Sequence, residues 1–348
     1  MTIDVHAHVV PAEVLEALER DGARYGMEVL LRDGRRAVRV GGGEPLPIRD
    51  DLVDVRRRLA AMDRAGVATQ ILSSWINLTA YQLDATAGSR FCRMFNQALA
   101  GLVASQPGRL LALATAPLQA PPAAAEELRH AVEQLGMVGV EIATTVNGTE
   151  LDDRDLDPFW SAAQDLGAIV LVHPMEPPPG PGTPRYFLGN AVGRPAQTTL
   201  AVAHLVLGGV LERFQELRVC VVHGGGFLPY QRGRLDRAYL ARPGMAAVNL
   251  TRPPSVWLRR LYYDTVVHDP EVLAWLVDFA GADHVVLGSD YPFEMGDPDP
   301  VGTVGSVPGL DDRRRDLILH GNLDRLIGGR RPAAPARPPA HPEAPTAG

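Results

Sequence analysis

The sequence predicts an α/β fold, a (β/α)8 TIM barrel with a small inserted β-hairpin segment near its N-terminus. Two observations carry this. Short β-branched or apolar runs alternate with helix-patterned segments, which is the signature of a parallel sheet built from βα units. There are eight such runs, and several end in a histidine or an aspartate, as strands do where barrel active sites are built.

The candidate strands are residues 3–5, 69–72, 110–115, 138–142, 169–172, 218–222, 261–265 and 284–287. Between the first two, Val55, Leu59 and Met62 repeat at helical spacing and Gly66 follows as a stop, which predicts a helix over 53–65. The same logic predicts helices over 90–104, 123–135, 195–214 and 271–279. Within 24–51 the helical pattern fails. The stretch MEVLLRDGRRAVRVGGG reads as a hairpin turning at Asp33-Gly34, an insertion covering one barrel mouth. Residues 174–193, with four prolines between Pro177 and Pro181, are expected to form a long loop above the barrel. The barrel domain spans 1–328. Residues 329–348, mostly Arg, Pro and Ala, bury too little apolar surface to offset their ordering entropy and are expected to be a disordered tail.

Composition narrows the partners. A chain of 348 residues with 46% hydrophobic and 22% charged residues has material for a large core. Its net charge of −7 supplies no basic face for nucleic acid or an anionic membrane surface, so a small-molecule partner is expected. The opening MTIDVHAHVV has neither the basic segment nor the apolar run of a signal peptide, and no apolar stretch reaches the ~18 residues a membrane helix needs. A cytoplasmic location is the default expectation. Cys92 and Cys220, each in an apolar stretch and not in a CxxC spacing, are expected to be buried free thiols.

The chemistry gathers at strand ends. His6 and His8 sit two apart on the first apolar run, and alternate positions along a strand face the same side. His173 ends the fifth run, His223 ends the sixth, and Asp290 follows the eighth. Imidazoles and a carboxylate are the ligands that zinc and similar divalent ions prefer, and three or four of them with an open position describe a catalytic site. One histidine at a strand end is usually structural. Convergence of the whole set is what points to a metal.

These residues stand in blocks that resemble the amidohydrolase superfamily, within it the branch of aminocarboxymuconate-semialdehyde decarboxylase and related nonhydrolytic decarboxylases. The resemblance covers 1–328 and rests on IDVHAHVVP, RLAAMDRAGVATQILS, HP after the fifth strand, RPAQTTLAVAHLVLGGVLERF, VVHGGGFLPY, YYDTVVHDP and VLGSDYPF. It implies that His6, His8, His173 and Asp290 bind one divalent ion, expected to be Zn2+, with His223 beside it as acid or base. The metal-bound water and His223 would then handle proton transfer. It further implies a homodimer in which Arg234 and Arg242 reach the neighbouring subunit's site. A substrate-binding arginine from the inserted segment, Arg39 or Arg49, is also implied, and His268 would orient a loop or touch the mouth.

The activity expected is decarboxylation of a small unsaturated or aromatic carboxylate without an organic cofactor. The alternative is a hydrolase or hydratase in which Asp290 or His223 acts as the catalytic residue that activates the metal-bound water for attack on an amide, lactone or double bond. No lysine follows a predicted strand, where binuclear hydrolases bridge two metals, and this favours a single ion. Gly224, Gly225 and Gly226 are expected to set the angle of His223, as a tight turn or by approaching a ligand closely. In YFLGNAVGRP, Gly189 and Asn190 replace the bulkier residues of the resembled family, so the pocket wall is altered. His130, His204, His284, His320 and His341 lack converging placement and receive no role.

Overall fold

A computed structural model describes residues 1–32, 34–175 and 185–328. The tail expected over 329–348 lies outside the described residues, as do Asp33 of the expected hairpin turn and the proline cluster within 176–184.

Eight parallel strands form the central sheet: β1 (Ile3–Val9), then β5 (Thr69–Ser74), β6 (Leu110–Ala114) and β7 (Gly139–Ala143), followed by β10 (Ile169–His173), β11 (Arg218–Val221), β12 (Tyr262–Asp264) and β13 (Val285–Val286). The first and last strands meet. Val5 N donates to Leu287 O at 2.9 Å, Asp290 N to His6 O at 2.8 Å and His8 N to Tyr291 O at 2.8 Å, so the barrel is closed as expected.

Two apolar clusters pack against its strands, the smaller inside and the larger outside. The smaller takes alternate strand residues, Ile3 and Val5, Leu111 and Leu113, Ile169 and Leu171, Cys220 and Val222. Leu323, Leu326 and Ile327 of the helix Asn322–Ile327 join them. These are the inward-facing side chains, because the larger cluster contains the intervening residues together with helix residues such as Phe91, Phe95 and Leu205.

The first strand breaks this alternation. Its register with β5 shifts between Asp4 and Ala7, a bulge that changes which residues face inward. Before it, Ile3 and Val5 belong to the inner cluster; after it, Ala7 and Val9 belong to the outer one. The even-numbered His6 and His8 are thereby turned toward the inside, sharing one face as the spacing predicted.

The inserted segment is richer than a hairpin. β2 (Met27–Arg32) and β3 (Arg35–Val40) pair antiparallel, and β4 (Leu46–Pro47) adds a third strand to β3. Val38, Val40 and Ile48 are buried against the larger core cluster, which anchors the insertion. A second small hairpin, β8 (Thr145–Val146) and β9 (Thr149–Glu150), turns at Asn147-Gly148, both with positive φ.

Helices lie near their expected places with informative differences. The stretch expected over 53–65 divides at Asp54, whose carboxylate accepts from Arg56 N and Arg57 N and caps the helix Val55–Arg64. The stretch over 195–214 divides into Arg194–Leu207 and Val210–Arg213, because Gly209 adopts φ 73°. Part of the loop expected over 174–193 is helical, with a π-type turn at Gly189–Gly193 feeding the next helix. Cys92 and Cys220 are buried free thiols. No helix among the described residues is long and apolar enough to cross a membrane.

Candidate metal centre

His6, His8, His173 and Asp290 each offer one ligand atom, and these four atoms lie within 4.8 Å of one another. All four residues are buried. Asp290 Oδ1 is 3.3 Å from His6 Nε2 and 3.2 Å from His8 Nε2. The same four atoms, His6 Nε2, His8 Nε2, His173 Nε2 and Asp290 Oδ1, are buried without a hydrogen-bond partner. Buried polar atoms left unsatisfied are costly, and four pointing at one place fit a divalent cation.

The opposite edge of each ring is held. His6 Nδ1 lies 2.7 Å from Asp264 Oδ2, His8 Nδ1 3.0 Å from Ser74 O, and His173 Nδ1 2.8 Å from Pro174 O. Each acceptor places the ring proton on Nδ1 and leaves the Nε2 lone pair facing the cluster, which is how ligand histidines are oriented. Burial alone would raise the Asp290 carboxyl, yet the charge of His6 and the closeness of the His223, His6 and His8 rings hold it well below the usual carboxylate range. Burial, reinforced by the neighbouring histidines, holds His173 well below the usual imidazole range and therefore neutral. Burial opposes charge on His6 as well, but Asp290 and Asp264 outweigh it and push the ring up to about 10. Those two carboxylates favour positive charge here, which a metal ion would also supply.

His223 stands beside this set and outside it. Its Nε2 is 3.5 Å from Asp290 Oδ2, and its ring centroid is 5.4 Å from that of His173. His223, His268 and Asp290 all adopt left-handed backbone with φ of 54°, 58° and 57°, a strained state for side chains with a Cβ. The glycines after His223 continue it at φ 58°, 80° and 65°. A Cβ at Gly226 would meet Pro195 O at 2.3 Å, so this tight turn admits no side chain there.

A cavity of about 590 Å³ opens over the cluster, lined by His173, His223 and Asp290, by the arginines Arg49 and Arg194, and by aromatic residues including Trp75, Phe227, Tyr230 and Phe293. His268 and Asn190 also line it. Arg49 forms a two-point ion pair with Asp51, at 3.0 and 2.8 Å, and donates to Pro292 O at 3.2 Å. Arg39 does not reach the cavity. It pairs with Glu28 across the β2 to β3 ladder on an exposed surface at 2.8 Å, so of the two arginines expected from the insertion only Arg49 lies at the site. Arg234, on the helix Leu228–Ala241, and Arg242, its C-terminal cap, are exposed and away from their own chain's cavity.

Sequence reasoning passed over three residues here. Asp264 ends β12 inside the YYDT block, a strand-end carboxylate of the kind used to find Asp290. Glu141, on β7, is 3.5 Å from His8 Nδ1 and accepts from Ser73 Oγ at 2.9 Å; burial pushes its carboxyl up to about 7. Arg194 opens the helix after His173 and donates to Pro174 O at 3.3 Å, the same carbonyl that orients His173.

Fold and site together define a (β/α)8 barrel with one divalent-ion centre at the C-terminal ends of its strands. The chain belongs to the amidohydrolase family, to which residues 3–328 match. It is 31% identical over 331 residues to a 2-amino-3-carboxymuconate-6-semialdehyde decarboxylase of Dictyostelium discoideum, covering 94% of this chain and 92% of that one. It is also 31% identical over 271 residues to a gamma-resorcylate decarboxylase of a Rhizobium species, covering 70% and 78%. Among solved structures, a dihydroxybenzoic acid decarboxylase of a Polaromonas species with bound manganese and 2-nitroresorcinol shares the fold, with a TM-score of 0.76 and 24% identity over 94% of this chain and 96% of that one.

Proposed function

We propose that this chain is a metal-dependent decarboxylase of a small unsaturated or aromatic carboxylate, using no organic cofactor. One observation carries the reading: four orphaned buried donor atoms converge beside a cavity that also presents a separate histidine and two arginines. The relatives named above are decarboxylases, which supports the same reading.

His6, His8, His173 and Asp290 would hold the ion, which we take to be zinc, and when bound it would supply Lewis acidity and acidify a water in its open position. His223 carries the proton. Its protonated imidazole gives a proton to the substrate carbon that bears the carboxylate. The bond from that carbon to the carboxylate then breaks, its electron pair restores the unsaturated system, and carbon dioxide leaves. His223 regains its proton from water. Arg49 and His268, on the cavity wall, would bind and orient the substrate, with the guanidinium suited to a carboxylate.

We propose a homodimer located in the cytoplasm, where buried free thiols such as Cys92 and Cys220 stay reduced. The exposed apolar side chains Tyr186, Phe187, Leu200, Leu240, Met245 and Val248 fall in the same part of the chain as Arg234 and Arg242. A partner covering that surface would receive both arginines at its own site.

The test is a panel of unsaturated and aromatic acids labelled with 13C at the carboxyl carbon. The reading expects labelled carbon dioxide that requires metal and is lost in His223→Asn. Hydrolysis or hydration products without carbon dioxide would overturn it in favour of a hydrolase or hydratase.

A further inference from the structure

Behind the metal centre lies an arginine that this chemistry does not use. Arg58, on the helix Val55–Arg64, is 1% exposed, and among the described residues it makes no direct ion pair. Its guanidinium donates to Gln70 Oε1 at 2.7 Å and to the main-chain oxygen of His8, and it lies over the Tyr291 ring at 4.8 Å from the centroid. Isolated buried charge is strongly disfavoured, so something must compensate it.

Gln70 connects it to an anion. Its amide nitrogen donates to Asp4 Oδ2 at 2.8 Å while its oxygen receives the guanidinium, so the dipole of one buried amide runs from cation to carboxylate. Asp4, itself fully buried, also accepts from His6 N at 3.0 Å, Ser289 N at 3.0 Å and Ser289 Oγ at 2.5 Å. Every far end of this chain touches the backbone of a ligand or its neighbour. Asp4 and Arg58 grip β1 within the bulge and just after it, at His6 N and His8 O, while Ser289 and Tyr291 flank Asp290.

We propose that Asp4, Gln70 and Arg58 act as a positioning relay for the metal ligands: they lock the bulged first strand against the segment 289–291 so that His6, His8 and Asp290 meet at one point. The proposal rests on the metal centre read above. None of the three touches the ion or the substrate. The relay has a direction, donor to acceptor from Arg58 through Gln70 to Asp4, and a merely space-filling role would not depend on it.

The test reverses one joint of the relay. Gln70→Glu sets a second carboxylate against Asp4 and is expected to weaken cobalt(II) binding by about 10–100-fold, as loss of residues that orient ligands does. In the double variant Asp4→Asn with Gln70→Glu, the asparagine amide donates to the new carboxylate, which takes the guanidinium directly, and affinity is expected to return most of the way. Ser289→Ala, a smaller perturbation that removes one donor to Asp4, is expected to shift the visible absorption of bound cobalt while the protein stays folded. Wild-type protein that binds cobalt, with all variants binding it as tightly and with the same spectrum, would overturn the relay and leave the metal centre standing. A double variant no better than Gln70→Glu would also overturn it. Wild-type protein that takes up no divalent ion would overturn the metal centre itself.

Discussion

Asp264 ties the His6 imidazole to the loop that carries His223: its Oδ2 lies 2.7 Å from His6 Nδ1, and its Oδ1 accepts from Gly224 N at 2.9 Å. One carboxylate thereby sets the direction of a metal ligand and the position of the proposed proton donor. Burial opposes its ionisation, but the bond and charge of His6 prevail and lower its carboxyl below the usual value.

Asp264→Asn keeps the shape and loses the charge. Metal affinity is expected to fall about 10–100-fold, measured by calorimetric titration of the apoprotein with zinc. Unchanged affinity would mean that His6 is oriented by something else.

Gly288 is pinned in the same corner. A Cβ there would stand 2.9 Å from Asp264 Cβ and 3.2 Å from His6 Cβ. Gly288→Ala is expected to destabilise the fold by about 1–3 kcal/mol, as overpacking does, and to weaken metal binding as well. Denaturant unfolding with and without metal separates the two effects.

The cavity arginines differ from the surface one. Losing a charge-assisted bond costs about 1.5–3 kcal/mol, so Arg49→Ala and Arg194→Met are each expected to raise KM for a carboxylate substrate about 10-fold or more. Arg39→Ala, changing an exposed pair with Glu28, is expected to leave KM where it was. Steady-state kinetics of the three variants compare them directly.

Metal removal should unsettle the protein. Ligand in 1,000-fold excess over its Kd stabilises a fold by about 4 kcal/mol, so chelation is expected to lower the thermal midpoint and zinc to restore it. His173→Ala is expected to abolish that response. Calorimetric scans with and without chelator read it out.

Much of this was legible in the sequence because the barrel writes itself as a period. Eight apolar runs mark the strands, and the histidines at the end of β10 and two residues past β11 stand out against them. The relation of His6 to His8 was legible as a two-residue spacing, but the bulge that turns both inward is a register effect that spacing does not encode. Asp264 carried a strand-end signal, but its partner, like those of Gln70 and Arg58, was illegible for another reason. Their partners lie 258, 66 and 12 residues away in sequence: closure of the sheet brings Asp264 to His6, the pairing of β1 with β5 brings Gln70 to Asp4, and the helix Val55–Arg64 leading into β5 brings Arg58 to Gln70. The two candidate arginines of the insertion could not be separated by composition; the ladder that pairs Arg39 with Glu28 separates them.

In the proposed centre His6, His8, His173 and Asp290 hold one ion while His223 stands apart to move a proton. Elemental analysis of protein purified without chelator or added metal, beside His173→Ala and His223→Ala, tests it most directly. About one zinc per chain is expected, lost in His173→Ala and kept in His223→Ala. No metal in the wild type, or equal loss in both variants, would contradict it.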